Sequence, residues 1–279
     1  MLIVDSQVHI WAADTPQRPW PPRRHQPHRP QPLSKDDLLR EMQVAGVDRA
    51  IIVPPGWDGE RNDLALAAAR LHPQRFAMFA RLKVDAPDAR AELATLRAQP
   101  GMLGLRFSFI RRPEHESPLL DGRMEWVWSA AAEAGLPVML LTFPSQLELV
   151  GRVAERHPDL KLAMDHLGCC FGQLDDAAFA HLDQFIALAK YPNIAVKATG
   201  LPGYSSDQYP YLRVHPYLRR VYDSFGPQRI FWGTDFTKLK CSYRQAVTMF
   251  TEEIPWLNSV DKEWIMGRAL CAWLGWTVP

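Results

Sequence analysis

The feature that most limits the possible folds is an alternation of short apolar segments with helical ones, repeated eight times along 279 residues. Strictly alternating strands and helices predict a parallel sheet with right-handed crossovers. Eight units in a chain of this length favour closure into an α/β fold of the (β/α)8 TIM-barrel type. With no linker or internal repeat, we predict one domain over residues 1–279. The candidate strands are Leu2–Ile10, Arg49–Pro54, Phe76–Lys83, Leu103–Phe109, Pro137–Phe143, Leu160–His166, Ile194–Thr199 and Arg229–Phe236.

The overall charge narrows the class of partner. The chain carries 32 basic and 31 acidic side chains, a net charge of +1. This balance predicts neither a nucleic acid nor a membrane as partner, and leaves a small-molecule substrate. The four cysteines of such a long chain indicate reduced thiols. Together with an N-terminus that lacks the pattern of a signal peptide, they predict a cytoplasmic protein. A homo-oligomer stays open.

Two helix starts are indicated by local sequence. Ser34 is followed by Asp37, and Ser145 by Glu148, each three residues later. This spacing is typical of a capping box, in which each partner hydrogen-bonds to the backbone of the other. We therefore predict helix starts at both places.

Polar side chains interrupt the first strand. Because strand residues alternate sides, Ile3, Asp5, Gln7 and His9 are predicted to share one face. If that face points into the barrel, three polar groups rise toward its mouth. Asp5, the deepest, is interpreted as part of a hydrogen-bonded core network. His9, at the strand end, is a candidate for function.

Two further strands end in titratable groups. His166 follows the sixth strand, and Asp235 follows the eighth. Catalytic residues of TIM barrels come from the C-terminal ends of strands. We therefore predict that His166, Asp235 and His9 are catalytic.

Arg106 and Lys197 are charges inside otherwise apolar strands. A buried charge needs an ion-pair partner or a ligand. An arginine suits the planar recognition of a carboxylate. For both residues a structural ion pair and a substrate contact remain open.

The segment Trp11–Leu33 is rich in proline and follows the first strand. In a barrel this places it at the C-terminal face, as a lid or an oligomer contact. Its arginines indicate a solvated surface or an anion-binding site. Its two histidines, His25 and His28, are interpreted as solvated loop residues and not as metal ligands.

Four segments taken in order carry a family resemblance. They are Ile3–Trp11, Met164–Gly168, Asn193–Leu201 and Phe225–Asp235. Together they resemble the amidohydrolase superfamily over nearly the whole chain. The most similar branch is the amidohydrolase-related group that includes fuconolactonase and pyrone-dicarboxylate lactonase. The resemblance implies a TIM barrel and a hydrolase.

The chain departs from the family pattern at two places. The first strand of metal-dependent members reads Asp-x-His-x-His, and here Gln7 replaces the first histidine. Thr142 stands where such members often place a histidine. An amide oxygen is a poor substitute for imidazole on zinc. We therefore favour a metal-free site. A single Zn or Mn ion held by His9, His166 and Asp235 is the alternative.

The resemblance implies hydrolysis of a lactone of a small carboxylated or sugar-derived substrate. Asp235 is predicted to act as general base. His166, and after it His9, would face the charge that develops on the carbonyl oxygen. The predicted substrate contacts are Arg106, Gln7, Trp11 and Lys197, with Trp11 in a roof over the site.

Two alternatives to a lactonase stay open at this point. One is a metal-dependent decarboxylase of a small aromatic acid, which the missing histidines weaken. The other is a barrel that binds a small acid without converting it. Product analysis distinguishes all three.

Overall fold

Eight parallel strands form one sheet in chain order, in a computed structural model that describes residues 1–21, 26–111, 117–169 and 172–277. Each strand pairs with the next one along the chain. The last strand meets the first through a hydrogen bond of 2.9 Å from Asp235 N to Gln7 O. The predicted (β/α)8 barrel is thereby confirmed. The strands are β1 Val4–Val8, β2 Arg49–Ile52, β3 Phe76–Ala80, β4 Met102–Ser108, β5 Val138–Leu141, β6 Leu162–Met164, β7 Ile194–Thr199 and β8 Ile230–Gly233.

Helices connect the strands. They are α1 Lys35–Ala45, α2 Asp63–Leu71, α3 Ala89–Leu96, α4 Glu125–Glu133, α5 Leu147–Arg156, α6 Asp175–Ala178, α7 Leu182–Ile186, α8 His215–Phe225, α9 Tyr243–Thr251, α10 Ser259–Glu263 and α11 Ala269–Leu274. In the part of the chain that the structure describes, none of them is long and apolar enough to cross a membrane.

Both predicted helix starts have a counterpart in the structure. Ser34 and Asp37 form a capping box at the start of α1, each side chain bonded to the backbone of the other. The second predicted helix start lies close to the observed one. A turn over Pro144–Gln146 comes first, and it moves the start of α5 to Leu147.

The apolar side chains of the strands fall into two layers. One fills the lower part of the barrel interior and is closed by α11. Its members from the strands, with Val53 just after β2, are Val4, Ile51, Ala77, Phe79, Met139, Ala163, Ala195 and Phe231. The larger layer lies between the strands and the helices. Polar side chains occupy the upper part of the interior, and they form the candidate site.

An irregularity in β1 changes the direction of its side chains. Val4 and Asp5 pair with consecutive residues of β2, but the next pair joins Val8 to Ile52, so β1 contains one extra residue. Such a bulge breaks the alternation of faces. The predicted common face of Ile3, Asp5, Gln7 and His9 is therefore wrong. Asp5 bonds Tyr243 of α9 in the outer layer, while Gln7 and His9 point into the barrel mouth.

Every strand except β7 ends earlier than predicted, and the early ends of β6 and β8 shape the site. β6 stops at Met164 and β8 at Gly233, because the backbone then turns out of the extended conformation. The φ angles of His166 and Asp235 are 54° and 49°. Both side chains consequently leave the strand direction just beyond the barrel rim.

Candidate active site

A cavity of about 440 Å³ opens at the C-terminal end of the barrel. Five of the predicted site residues line it together: Gln7, His9, Arg106, His166 and Asp235. Loops complete the walls with other side chains, among them Gln26, His28, Trp57 and Lys238. The strand-end residues chosen from the sequence are thus brought to one place.

His9 and Asp235 form the centre of the site. His9 Nδ1 lies 2.5 Å from the carbonyl oxygen of Val53, so this nitrogen carries a proton and donates it. His9 Nε2 lies 3.1 Å from Asp235 Oδ1. This second contact is attractive when Nε2 is also protonated, or when a cation lies between the two atoms.

Asp235 is ionised although it is buried. Burial alone favours the neutral acid. The interaction with His9, through its charge and a hydrogen bond, and the charge of Lys238 outweigh the effect of burial and hold the pKa of Asp235 well below its usual value. A carboxylate therefore faces the cavity at neutral pH.

His28 lies beside this pair, so its interpretation as a solvated loop residue is wrong. Its Nδ1 is 2.7 Å from Thr237 Oγ1 and 3.7 Å from Asp235 Oδ1. Its ring packs on Trp57, with 4.6 Å between ring centroids. Burial lowers the pKa of His28 to about 3, which keeps the ring neutral. His25 lies outside the described residues.

His9, His28 and Asp235 are the described residues that could hold a metal ion together. Each residue offers one ligand atom, and within the described ranges these three atoms all lie within 4.8 Å of one another. Two ligands of a tetrahedral zinc ion are about 3.3 Å apart. The observed spacings to Asp235 Oδ1, 3.1 Å from His9 and 3.7 Å from His28, are close to this value. His28, and not the predicted His166, belongs to the group.

His166 is anchored by Thr199. The hydroxyl oxygen of Thr199 lies 3.2 Å from the backbone nitrogen of His166 and 2.7 Å from its Nδ1. The Nε2 atom lies 3.4 Å from Nε2 of Gln7. Burial lowers the pKa of His166 to about 4, so the imidazole is neutral at neutral pH.

A buried ion-pair network supports the cavity from below. Lys197 is fully buried, and its Nζ lies 2.5 Å from Gln7 Oε1 and 2.8 Å from Asp165 Oδ1. Asp165 Oδ2 in turn accepts a bond of 3.1 Å from Arg106 Nε. Burial raises the pKa of Asp165, but Lys197 and Arg106 outweigh this effect and lower it. Lys197 does not line the cavity, so the ion-pair interpretation replaces its predicted substrate contact.

Arg106 reaches the cavity with most of its donors unused. Its side chain is 6% exposed and bonds Asp165 through Nε. Within the described chain, its two terminal nitrogens have no protein partner. A guanidinium held at one edge and open at the other is arranged to bind a planar anion.

Trp11 lies behind the cavity wall. Its ring is 1% exposed and meets Trp57 edge-on, with 5.4 Å between centroids. Trp57 lines the cavity, and Trp11 does not. The predicted substrate contact of Trp11 is therefore replaced by packing beneath Trp57.

The proline-rich segment is tied to the loop after β2. Arg18 forms two forked ion pairs, one with Asp58 at 2.7 and 3.0 Å and one with Asp63 at 2.6 and 2.9 Å. Asp58 directly follows Trp57. The clamp therefore links the loop that carries His28 to the loop that carries Trp57.

Asp5 belongs to the core network that the sequence predicts for it. It accepts hydrogen bonds from Thr234 N at 2.9 Å, Tyr243 Oη at 2.7 Å and Gln7 N at 2.9 Å. Gly233 lies beside it, where an added Cβ would be 2.4 Å from Ser6 Oγ. Asp5 thus fixes the β1 bulge against the end of β8.

Loop residues are the part of the site that the sequence does not predict. Gln26, His28, Trp57 and Lys238 come from segments without periodicity. Position is the usable signal, because loops that follow barrel strands lie at the C-terminal face. A histidine three residues after His25 in such a loop has the same appearance whether it is solvated or bound.

Comparison with known proteins identifies the family. Residues 4–268 match the profile of the amidohydrolase family. The chain belongs to this family. The resemblance inferred from the strand-end motifs is confirmed.

Two amidohydrolase relatives are named for lactone chemistry. L-Fucono-1,5-lactonase of Burkholderia ambifaria is 26% identical over 250 residues, covering 84% of this chain and 79% of that protein. 4-Sulfomuconolactone hydrolase of Rhizobium radiobacter is 25% identical over 237 residues, covering 83% of this chain and 74% of that protein.

A solved structure shares the fold. The amidohydrolase of Burkholderia multivorans with bound Zn has a TM-score of 0.80 and 21% identity, covering 99% of each chain. This level of identity establishes the architecture and leaves the chemistry of this chain to its own residues.

Proposed function

We propose that this amidohydrolase opens a small lactone that carries an anionic group, with Asp235 as general base. The observation that carries the proposal is the position of the Asp235 carboxyl group at the cavity wall, 3.1 Å from His9 Nε2. Its Oδ1 has no hydrogen-bond partner within the described chain unless His9 Nε2 is protonated. The names of the two lactone-hydrolysing relatives support the same chemistry.

In this mechanism, Asp235 takes a proton from water while the water oxygen attacks the lactone carbonyl carbon. A tetrahedral intermediate forms, and its collapse breaks the ring carbon–oxygen bond. The proton held by Asp235 passes to the ring oxygen as it leaves, giving a hydroxy acid. Donors in reach of the carbonyl oxygen are Gln7 Nε2 and Arg106, with His9 Nε2 when it is protonated.

Arg106 supplies the preference for an anionic substrate. Its open edge faces the cavity, and Asp165 holds its other edge. Lys238 adds a second positive charge at the wall, 3.7 Å from Asp235 Oδ2. A carboxylate or sulfonate on the substrate would satisfy donors that the protein leaves unused.

A divalent cation fits the same site, which keeps the Zn or Mn alternative. We propose His9, His28 and Asp235 as its holders, in place of the predicted set with His166. The hydroxyl of Thr237, now 2.7 Å from His28 Nδ1, would turn away. Such an ion would polarise the carbonyl group or lower the pKa of a water molecule.

The test is a panel of lactones, with and without a carboxylate, assayed with the wild type and Asp235→Asn. We expect turnover of the anionic lactones and a loss of at least about 100-fold in the variant. Asp36→Asn, on the exposed face of α1, is the matched control. Full activity of Asp235→Asn would remove Asp235 from the mechanism.

Two further measurements separate the alternatives. Metal analysis before and after treatment with EDTA shows whether turnover needs an ion. Release of carbon dioxide from aromatic acids without lactone opening would select the decarboxylase. Binding without any product would select the non-catalytic barrel.

A further inference from the structure

We infer that Lys197 and Gln7 are positioning residues that hold His166 as one neutral tautomer, with the proton on Nδ1 and Nε2 as an acceptor. His166 would then accept a hydrogen bond in the reaction and not donate one to the carbonyl oxygen. The tautomer follows from the contacts alone, and only its use in catalysis rests on the proposed function.

The argument begins at Lys197, because an ammonium group donates and never accepts. Its Nζ is fully buried and touches Gln7 Oε1 at 2.5 Å, Asp165 Oδ1 at 2.8 Å and Met139 Sδ at 3.4 Å. The atom of Gln7 that faces Lys197 must therefore be the amide oxygen. A flipped amide would bring two donors together in the barrel interior.

The orientation of Gln7 then decides the state of His166. With its oxygen on Lys197, Gln7 directs its NH2 group toward His166, and the two Nε2 atoms are 3.4 Å apart. An amide nitrogen only donates. Nε2 of His166 must consequently present a lone pair, because a proton there would oppose the amide hydrogens.

Thr199 completes the pattern at the other ring nitrogen. A neutral imidazole with a bare Nε2 carries its proton on Nδ1. Nδ1 lies 2.7 Å from Thr199 Oγ1, which accepts that proton and also the backbone N–H of His166 at 3.2 Å. A hydroxyl oxygen has two lone pairs, so both bonds are satisfied.

With an unprotonated Nε2, His166 cannot donate a hydrogen bond to the carbonyl oxygen of the substrate. The carbonyl oxygen is left to Gln7, which has a second N–H, to Arg106, and to His9 Nε2 when it is protonated. The same ammonium reaches both Gln7 and Arg106, because Lys197 bonds Asp165 and Asp165 bonds Arg106. One buried charge thus sets the direction of two groups that face the cavity.

The decisive test is nitrogen-15 NMR of the histidine rings in EDTA-treated protein, with His166 assigned by loss of its signals in His166→Asn. We expect a protonated Nδ1 and an unprotonated Nε2 in the wild type. A proton on Nε2 in the wild type would overturn the inference. This measurement needs no variant other than His166→Asn, which is used for the assignment.

Gln7→Glu reverses the pattern with little change of shape. A carboxylate only accepts, so we expect the His166 Nε2 signal to move to the protonated position. Gln146→Glu, a buried glutamine outside the cavity, should leave it unchanged. An unmoved signal in folded Gln7→Glu would contradict the role of Gln7.

Activity provides the second readout. With an anionic lactone, Gln7→Glu should lower kcat by about ten-fold or more, since one donor to the carbonyl oxygen is lost, with a smaller change in KM. If kcat of Gln7→Glu is unchanged while wild-type His166 has the expected tautomer, only the role of this tautomer in catalysis is refuted. If the wild type opens no lactone, the proposed function fails while the NMR result stands.

Discussion

At the scale of single residues, the proposed binding of an anionic substrate by Arg106 is tested through KM, and its proposed contact with the carbonyl oxygen through kcat. Arg106→Met removes the donors that face the cavity while Lys197 still pairs with Asp165. We expect KM for a carboxylated lactone to rise about 10- to 100-fold, the effect of one lost charge-assisted contact. KM for an uncharged lactone should change little.

The matched control is Arg123→Met, whose guanidinium pairs with acids on the surface. An equal rise of KM with the charged and the uncharged lactone would mean that Arg106 does not bind the anionic group.

The sequence predicts site residues where chain position determines space. His9, His166 and Asp235 follow strands, and the barrel brings strand ends together. The same reasoning fails for His28, because no periodicity fixes a proline-rich loop. It also fails for Lys197, since a lone charge in a strand looks the same with a buried partner as with a ligand.

At the scale of elements, the Arg18 clamp holds the proline-rich segment in place. Arg18→Met breaks both forked pairs at once. We expect a loss of about 2 kcal/mol in stability, from charge-assisted bonds to the buried Asp58, and a higher KM. Hydrogen exchange of the backbone over residues 11–21 and 26–33 should become faster.

Arg40→Met is the control for the clamp. Arg40 is 69% exposed and pairs with Asp37 on the surface of α1, so its loss should cost less than about 0.5 kcal/mol. If Arg18→Met leaves the exchange rates as they are, the segment is held by its packing and not by the clamp.

The elements also show the limit of pattern reading. The eight strands are predicted in order, because buried parallel strands appear as short apolar runs. The direction of the side chains of β1 is not predicted, because a single extra residue between Asp5 and Val8 breaks the two-residue alternation of faces. That bulge is held by bonds from distant residues, which no local pattern contains.

At the scale of the whole molecule, buried neutral His166 makes stability depend on pH. Burial lowers its pKa from 6.5 to about 4. Between these values the unfolded chain binds a proton that the folded chain excludes, so stability falls as the pH falls. Between about pH 7 and about pH 5 this loss is about 2 kcal/mol.

The measurement is urea unfolding at both pH values, in EDTA, for the wild type and His166→Asn. Asp5, whose pKa burial raises to about 6, acts in the opposite direction in both proteins, so the difference between them isolates His166. Parallel pH profiles for the two proteins would show that His166 is not held neutral by the fold.

The left-handed backbone at the barrel mouth determines which substitutions selection for stability would favour. His166, Leu167 and Asp235 have φ angles of 54°, 52° and 49°, and each costs about 1 kcal/mol relative to glycine. Selection for thermal stability alone would replace these residues. In laboratory evolution for stability without a screen for turnover, we therefore expect substitutions at these positions before substitutions in the barrel strands. The positions substituted first would be those that are retained for function.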